Sequence, residues 1–420
     1  MPEFNPGNVL IYLYQLLGWW LGTLGIPAPI VALIQLLVSI LSVGTFALLL
    51  PIFTIWLERK VAGRFQDRLG PNRVGPYGLF QSFADVFKLL TKEDITPAGA
   101  DKVVFNLAPM LTVLSVVTIW AVVPFASTMV GANINVGVLY IVAISGLGTL
   151  SIMMGGWSSN NKFALLGAFR TAAQLVAYEV PMIIVLLVPV MLAGSMGVQD
   201  IVNAQGTAWF IVMAPVAGLI FFITSIAEIG RAPFDLLEAE SEIVAGFHIE
   251  YTGMKFGMWM LGEFLHAFTI CVLTAVLFLG GWQGPFAREV PVLGIVYFLL
   301  KSFGMYFMVI WVRSTFPRIR IDHLHAFNWK VLVPVSLAAV VLTALVDKLV
   351  TTYLPGAGDV VRATALLAVN VIGVLLLLGI FRQGAYAERE RLEGGHEASH
   401  GEAAHHDEHG EHGAAHASAH

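Results

Sequence analysis

Long apolar stretches recur along this chain, separated by shorter segments that carry most of its charge. Nine of these stretches are candidate membrane spans, because a helix needs about 20 apolar residues to cross a bilayer. They cover 30–57, 103–125, 137–157, 171–194, 209–228, 258–282, 291–312, 331–354 and 363–381. Backbone groups inside lipid must hydrogen-bond within their own segment, so each stretch predicts a helix. The pattern therefore predicts an all-α integral membrane protein with about nine transmembrane helices.

Composition agrees with this class of protein. Of 420 residues, 57% are hydrophobic and 12% are charged, whereas soluble domains carry about 25% charged residues. Residues 1–29 contain a shorter apolar stretch with Trp19 and Trp20, which predicts an N-terminal extension, interfacial or external. Residues 30–354 would form a membrane core of eight spans, and 355–383 an additional C-terminal span. Residues 384–420 hold eight of the twelve histidines and predict a disordered cytoplasmic tail.

The basic residues are divided unevenly between the two sides of the membrane. Nineteen of the 23 lysines and arginines fall in segments on the side where the first span ends. Because positive residues concentrate in cytoplasmic loops, this side is predicted to be cytoplasmic, with the N-terminus outside and the C-terminus inside. Three long charged loops would then face the cytoplasm, at 58–102, 228–257 and 313–330.

The first of these loops contains a different hydrophobic pattern. It opens with basic residues and continues as LFQSFADVFKLL, in which apolar residues recur at helical spacing. One helical face carries Leu79, Phe80, Phe83, Val86, Phe87 and Leu90. We expect an amphipathic helix that lies on the membrane surface or against a partner. The basic run offers a third possibility, contact with lipid phosphates.

Three carboxylates and one lysine lie at membrane depth. Glu179 and Glu263 are about 12–13 Å inside their helices at 1.5 Å per residue, Glu228 closes the fifth span, and Lys301 is about 18 Å deep. An ionised group there costs about 2.5 kcal/mol or more unless it meets water, a partner or a proton. A shared hydrated cavity would explain the acids together. The alternatives are that each acid caps or cross-links a helix, and that local packing satisfies the lysine.

The segment AEIGRAPFDLLEAESEIVAGFHIEY, residues 227–251, concentrates acid around a single arginine, Arg231. Its carboxylates are Glu228, Asp235, Glu238, Glu240, Glu242 and Glu250. Pro233 ends the preceding helix, because proline lacks an N–H group and restricts the residue before it. Glu238 and Glu242 are four residues apart on one helical face and repel each other, which favours retained protons or a cationic visitor. A solvated surface loop is the alternative interpretation.

Five long stretches, in this order, carry a resemblance to a known family. They read ERKVAGRFQDRLGPNRVGP, QSFADVFKLLTKED, GWSSNNKFALLGAFRTAAQLVAYEV, AEIGRAPFDLLEAESEIVAGFHIEYTGMKFG and RSTFPRIRIDHLHAFNWK. The chain resembles, over roughly residues 30–350, the quinone-site membrane subunit of NADH:quinone oxidoreductase (respiratory complex I), which is the H subunit of bacteria and subunit 1 of mitochondria. It departs from the family at Gly230, often Asn there, and at Ala239, often Gly. Nothing carries over to the ninth span or the histidine tail.

The resemblance implies a role in coupling quinone reduction to proton translocation. In that family the cytoplasmic loops help to build the chamber in which the quinone, ubiquinone or menaquinone, is reduced. The implied proton path contains Glu179, Glu228 and Glu263, to which we add Lys301. The acidic loop beside the chamber would contain Arg231, Asp235, Glu238, Glu240 and Glu242. Residues near the access route of the quinone and the subunit interface would be Arg59, Arg64, Asp85 and Lys88.

The resemblance also implies partners and a location. The partners would be the hydrophilic iron–sulfur and quinone-site subunits of the peripheral arm, the antiporter-like and small subunits of the membrane arm, and lipid, without nucleic acid. The location would be the bacterial inner (plasma) membrane. We expect neither FMN nor an iron–sulfur cluster on this chain, since its single cysteine, Cys271, cannot hold a cluster alone. No metal site is expected, and no complete active site on this chain alone.

Three other classes of protein remain open at this point. The anchor subunit of a related membrane-bound hydrogenase complex would carry similar motifs without using quinone. A stand-alone proton-coupled transporter would also hold acids at mid-depth, although the sequence has no evident inverted repeat. A purely structural anchor would tolerate acid-to-amide substitutions.

Overall fold

The chain folds almost entirely into helices. The computed structural model describes residues 9–235, 244–353, 358, 360–375 and 379. The helices are α1 (Val9–Thr23), α2 (Ala28–Phe65), α3 (Gln81–Thr91), α4 (Lys102–Ile119), α5 (Gly137–Ser158), α6 (Lys162–Ala193), α7 (Val198–Ala204), α8 (Phe210–Met213), α9 (Pro215–Ile229), α10 (Gly253–Phe278), α11 (Pro291–Thr315), α12 (Ile321–Phe327), α13 (Val333–Tyr353) and α14 (Val360–Leu375). One small antiparallel hairpin pairs β1 (Pro124–Ala126) with β2 (Met129–Val130).

Seven helical segments in the described part of the chain are long and apolar enough to cross a membrane. They are Ala28–Phe65, Lys102–Val122, Gly137–Ser158, Lys162–Ala193, Gly253–Phe278, Pro291–Thr315 and Ile321–Tyr353. The prediction of an all-α integral membrane protein is confirmed. Two further predicted spans correspond to shorter apolar helices, α9 and α14. The second compact unit, Ala368–His420, contributes to the described residues only the end of α14 and Gly379.

Several boundaries differ from those that hydrophobicity predicted. Helix α2 continues through the first eight residues of the predicted first loop and ends at Phe65. The predicted span 209–228 is interrupted at Ala214, between α8 and α9. Pro215 accounts for the break, because its ring restricts the preceding residue and it has no N–H group to donate. Helix α6 begins at Lys162, earlier than predicted, where the side chain of Asn161 accepts a hydrogen bond of 2.8 Å from the Phe163 amide.

The segments that follow α2, α9 and α11 meet on one side of the molecule, which we call the loop face. The Ile95 amide donates to Thr252 Oγ1 at 3.0 Å, which joins the first loop to the start of α10. Lys255 pairs with Asp94 at 2.9 Å. The Ile319 amide donates to the Pro233 carbonyl, again at 3.0 Å. These contacts bring the three predicted long loops, which are distant in sequence, onto one surface.

Hydrogen bonds from buried side chains join the helices around α10, the most enclosed of the long helices. Trp120 Nε1 donates to Thr269 Oγ1 at 2.8 Å, which links the end of α4 to α10. The Tyr178 hydroxyl of α6 donates to the Leu324 carbonyl at 3.0 Å. Because an unpaired polar group away from water is costly, each of these bonds fixes one relative position of its helices.

Close backbone packing between α6 and the segment Gly246–His248 gives a test of the fold. A Cβ atom at Gly167 would lie 2.8 Å from the Cα atom of Gly246. Gly167→Ala should therefore force backbone apart and lower the free energy of unfolding by about 1–3 kcal/mol. The control is Gly146→Ala in α5, where a Cβ atom meets nothing within 4 Å. Thermal denaturation of the solubilised protein measures both, and equal stability of the two variants would contradict the packing.

Candidate functional site

A buried carboxylate, Glu58, joins three helical segments beneath the loop face. It lies near the end of α2 and is 6% exposed. Its Oε1 atom accepts hydrogen bonds from Arg313 and, at 2.5 Å, from Arg231 Nη1. Its Oε2 atom accepts one from the Tyr306 hydroxyl at 2.8 Å. Tyr306 and Arg313 belong to α11, and Arg231 follows α9. The Glu58 side chain therefore links the ends of the three helices that lead into the long loops.

Arg231 also pairs with a second carboxylate. Gly230 ends α9 in the left-handed region, with φ of 70°, and Arg231 follows at 5% exposure. Its Nη2 atom lies 2.9 Å from Glu263 Oε1, within ion-pair distance but not aligned for a hydrogen bond. The guanidinium carbon lies 4.7 Å from the centre of the Phe264 ring, a cation–π contact.

A cavity of about 80 Å³ adjoins this cluster, among α4, α5, α9 and α10. Its polar wall residues are Thr112, Ser115, Ser145, Thr149, Glu228, Arg231, Asp235, Glu263, His266 and Arg313. A buried water molecule needs roughly 10–15 Å³ and two to four polar partners. The cavity therefore has the size and the wall chemistry to hold several water molecules. A second cavity of about 30 Å³ continues from it among mostly apolar side chains and shares Ser145, Glu228 and His266.

Two of the three predicted membrane-depth acids line the larger cavity. Glu228 is 4% exposed, and its buried Oε2 atom has no hydrogen-bond partner among the described residues. Glu263 reaches the same cavity from α10. Glu179, on α6, is not part of the wall, but it is close enough to Glu228 for the two carboxylates to repel each other. The structure thus brings these acids together from three helices.

Gln174 fixes the relative positions of α6 and the end of α9. It is fully buried, and its Nε2 atom donates to the carbonyls of Ala227 and Phe234, both at 2.8 Å. Gln174 lies five residues before Glu179 on α6, and Ala227 directly precedes Glu228 on α9. This one amide therefore helps to hold the two carboxylates near each other.

The acidic loop is only partly within the described residues. Asp235 lies on the wall of the larger cavity and is the last residue before the gap. Glu238, Glu240 and Glu242 lie outside the described residues. Glu250, on the far side of the gap, accepts a hydrogen bond of 2.7 Å from Asn161 Nδ2.

Lys301 does not join the carboxylates. Its Nζ atom donates to the carbonyls of Leu279, Gly281 and Gln283 at 2.7, 3.0 and 2.8 Å, and it lies 4.6 Å from the centre of the Trp209 ring. Leu279 follows α10 and is sixteen residues, or about 24 Å of helix, beyond Glu263. The lysine therefore satisfies the carbonyls after α10 at the opposite face.

Three of the four residues predicted near the quinone access route form a surface cluster. Arg59 Nη1 lies 2.6 Å from Asp85 Oδ2, and Lys88 Nζ lies 3.5 Å from Asp85 Oδ1. Arg64 is exposed in the last turn of α2. On α3 the predicted apolar face is open, with Phe83 43% and Phe87 66% exposed. This face is available to lipid or to a partner.

A group of packed aromatic residues lies beside the larger cavity. Phe105 and Tyr251 stack with ring centres 4.0 Å apart, and Trp259 packs against Tyr251 and lines the cavity. Burial raises the pKa of Tyr251 to about 12. Burial also lowers the pKa of His248 to about 4, so both side chains are neutral near pH 7. The charge beneath the loop face is thereby concentrated in the Glu58 cluster and the cavity wall.

Four residues of this site were not singled out from the sequence: Glu58, His266, Tyr306 and Arg313. Glu58 and Arg313 stand at the ends of apolar stretches, where a charged residue is ordinary. Their pairing joins positions 255 residues apart, which spacing cannot reveal. His266 had a usable signal, since it follows Glu263 by three residues and so shares its helical face.

These features define a class: a multi-span membrane protein with a charge-balanced cluster and a polar cavity beneath one face. The NADH dehydrogenase family model matches residues 37–344. A NADH-quinone oxidoreductase H subunit from Dehalococcoides mccartyi (strain CBDB1) is 48% identical over 311 residues, 74% of this chain and 86% of that protein. The corresponding H subunit of Geobacillus kaustophilus (strain HTA426) is 50% identical over 295 residues, 70% of this chain and 88% of its own length.

A third relative is matched over a similar length. The NADH-quinone oxidoreductase H subunit of Rhodospirillum centenum (strain ATCC 51521 / SW) is 47% identical over 315 residues, 73% of this chain and 93% of that protein. The chain belongs to the family of NADH-quinone oxidoreductase H subunits, which is the subunit 1 family of respiratory complex I. The resemblance found in the sequence is confirmed.

Arg231 provides a test of the cluster. Arg231→Met would leave Glu263 without its cation and remove one of two cations from Glu58. Breaking a buried pair in this way costs about 3–5 kcal/mol, so the variant should unfold at a markedly lower temperature. Arg59→Met is the matched control, because its pair is half-exposed and worth at most about 1 kcal/mol. Equal losses in thermal denaturation of the solubilised protein would contradict a special role for the buried cluster.

Proposed function

We propose that this chain couples the reduction of a quinone to proton translocation as the membrane subunit of a NADH:quinone oxidoreductase. Family membership supports the role of a membrane subunit in that oxidoreductase, with the complete active site requiring other subunits. The coupling role is supported by one observation above all. Glu58 and Glu263 form one charge-balanced cluster with Arg231 and Arg313, beside a cavity whose wall contains Glu228 and Glu263.

The loop face supports the position of a quinone chamber. The first loop, the acidic loop after α9 and the segment after α11 all follow helices whose ends the cluster joins, with Glu58 seven residues before the end of α2. A chamber built from these loops and the peripheral-arm subunits would lie directly above Arg231 and Asp235. In this arrangement the access route would pass the pair Arg59–Asp85, with the open apolar face of α3 in contact with lipid.

The proposed coupling begins with charge. Reduction of a quinone takes up two electrons and two protons, and a negatively charged headgroup near the loop roots would compete with Glu58 and Glu263 for the two arginines. Glu263, which holds Arg231 through an ion pair without a hydrogen bond, would be released first. A released carboxylate then exchanges protons with the cavity and with Glu228 and Glu179. A local change of charge would thus bias both the protonation and the conformation of the path.

The orientation and the partners follow the same proposal. With the loop face in the cytoplasm, as the distribution of basic residues predicts, the N-terminus lies outside and the peripheral-arm subunits dock on the loops. The antiporter-like and small membrane-arm subunits would receive protons or a conformational signal from the region of Glu179. We assign no FMN, iron–sulfur cluster or metal to this chain. Lys301, which holds the opposite end of α10, is outside this path.

The alternatives are less well supported. The three relatives bear the name of the NADH-linked quinone enzyme, which favours it over the anchor of a hydrogenase complex. A stand-alone transporter would need a complete site on its own chain, whereas the cluster here opens toward loops that other subunits would cover.

Glu228→Gln in the assembled enzyme tests the proposal. Removing the titratable group should lower NADH-driven proton translocation in membrane vesicles by roughly tenfold or more, about 1.4 kcal/mol in the barrier. Glu289→Gln, an exposed acid at the opposite face, is the control and should behave as the wild type. Wild-type rates of both quinone reduction and proton translocation in Glu228→Gln would remove this residue from the path and would defeat the coupling proposal.

A further inference from the structure

A histidine lines the larger cavity together with the two carboxylates. His266 lies three residues after Glu263 on α10, so the two side chains occupy neighbouring positions on one helical face. It lines the larger cavity together with Glu228 and Glu263 and the smaller cavity together with Glu228. His266 and Glu228 therefore both belong to the wall that the two cavities share.

The surroundings of His266 leave its ring free for exchange. Its nitrogens make no hydrogen bond to any residue that the structure describes. By contrast, the neighbouring polar side chain one turn further on, Thr269, is engaged by Trp120 and by its own helix. His266 is half-buried, and its ring nitrogens are not among the fully enclosed polar atoms that have no partner, so the ring can meet water in the cavity.

The charges around the ring are compatible with a transient cation. Arg231 and Arg313 lie on the wall of the same cavity, but both are already paired with Glu58. Glu228, on the same wall, has no arginine partner and supplies the negative charge that an imidazolium would need, since Glu263 balances Arg231. Imidazole is also the one side chain with two ring nitrogens that can take up a proton at one and release it from the other.

We propose that His266 carries protons between Glu263 and Glu228, a role that rests on the function proposed above. A protonated Glu263 gives its proton to one ring nitrogen, which forms an imidazolium. The proton on the other nitrogen then passes to the Glu228 carboxylate, directly or through one water molecule. One proton has moved, the ring is neutral again in its other tautomer, and the total charge is unchanged. Rotation of the ring or exchange with cavity water restores the first tautomer.

The test compares two substitutions of similar size in the assembled enzyme. His266→Gln keeps a polar side chain but cannot titrate, and His266→Glu restores a group that can carry a proton. We expect His266→Gln to lower coupled proton translocation roughly tenfold or more, since a positioned acid–base group contributes about a hundredfold or more to a proton transfer. His266→Glu should recover most of the wild-type rate. Ser302→Ala is the control, since Ser302 is buried and bonds only to its own helix, at Phe298.

Assembly on native gels is measured for each variant, so that loss of the complex is not mistaken for loss of transfer. Wild-type translocation in His266→Gln would overturn the inference. Equal impairment of the Gln and Glu variants in fully assembled enzyme would also overturn it, because packing alone would then explain the residue. Glu228→Gln in the same vesicles separates the two proposals. If Glu228→Gln blocks translocation and His266→Gln does not, only the role of His266 fails; if Glu228→Gln is harmless, both fail.

Discussion

The buried pairing of Glu58 with Arg231 and Arg313 is the constraint on which the rest of the site depends. Removing any of these charges from its partners inside a membrane protein would cost several kcal/mol. Each partner comes from a different helical segment, so satisfying the charges fixes the end of α2, the chain after α9 and the end of α11 together. The positions of three loops thus follow from one electrostatic requirement.

The cavity beside the cluster accommodates a carboxylate that the arginines leave unpaired. Arg231 and Arg313 are already paired with Glu58 and Glu263, so neither is available to Glu228. Glu228 has a buried oxygen atom with no partner among the described residues. Such a group must meet water or hold a proton. The polar wall from α4, α5 and α10 gives water a place to bind. Because Glu263 belongs both to the cluster and to the cavity wall, a change of charge in the cluster reaches the cavity without a long chain of contacts.

The sequence predicted those parts of the molecule that depend on local composition. Long apolar stretches predicted the membrane helices, and the depth of Glu179, Glu228 and Glu263 predicted a shared cavity, which Glu228 and Glu263 line and Glu179 does not. The depth of Lys301 suggested the same role, but its ammonium group donates hydrogen bonds to three backbone carbonyls after α10. The pattern of apolar residues contains no information about where the end of a helix will lie relative to such a side chain. The sequence did not indicate a role for Glu58, because its two arginine partners are 173 and 255 residues away along the chain. Long-range pairing of charges was therefore the feature that the sequence could not provide.

The proposed proton path requires that Glu263, His266 and Glu228 share one hydrated cavity, next to the two arginines that pair with Glu58. A high-resolution cryo-EM map of the assembled enzyme in lipid tests it most directly. We expect ordered water that joins the three side chains in a continuous hydrogen-bonded path beside an intact Glu58 cluster. A map in which these side chains point into separate dry contacts, with no water between them, would contradict it.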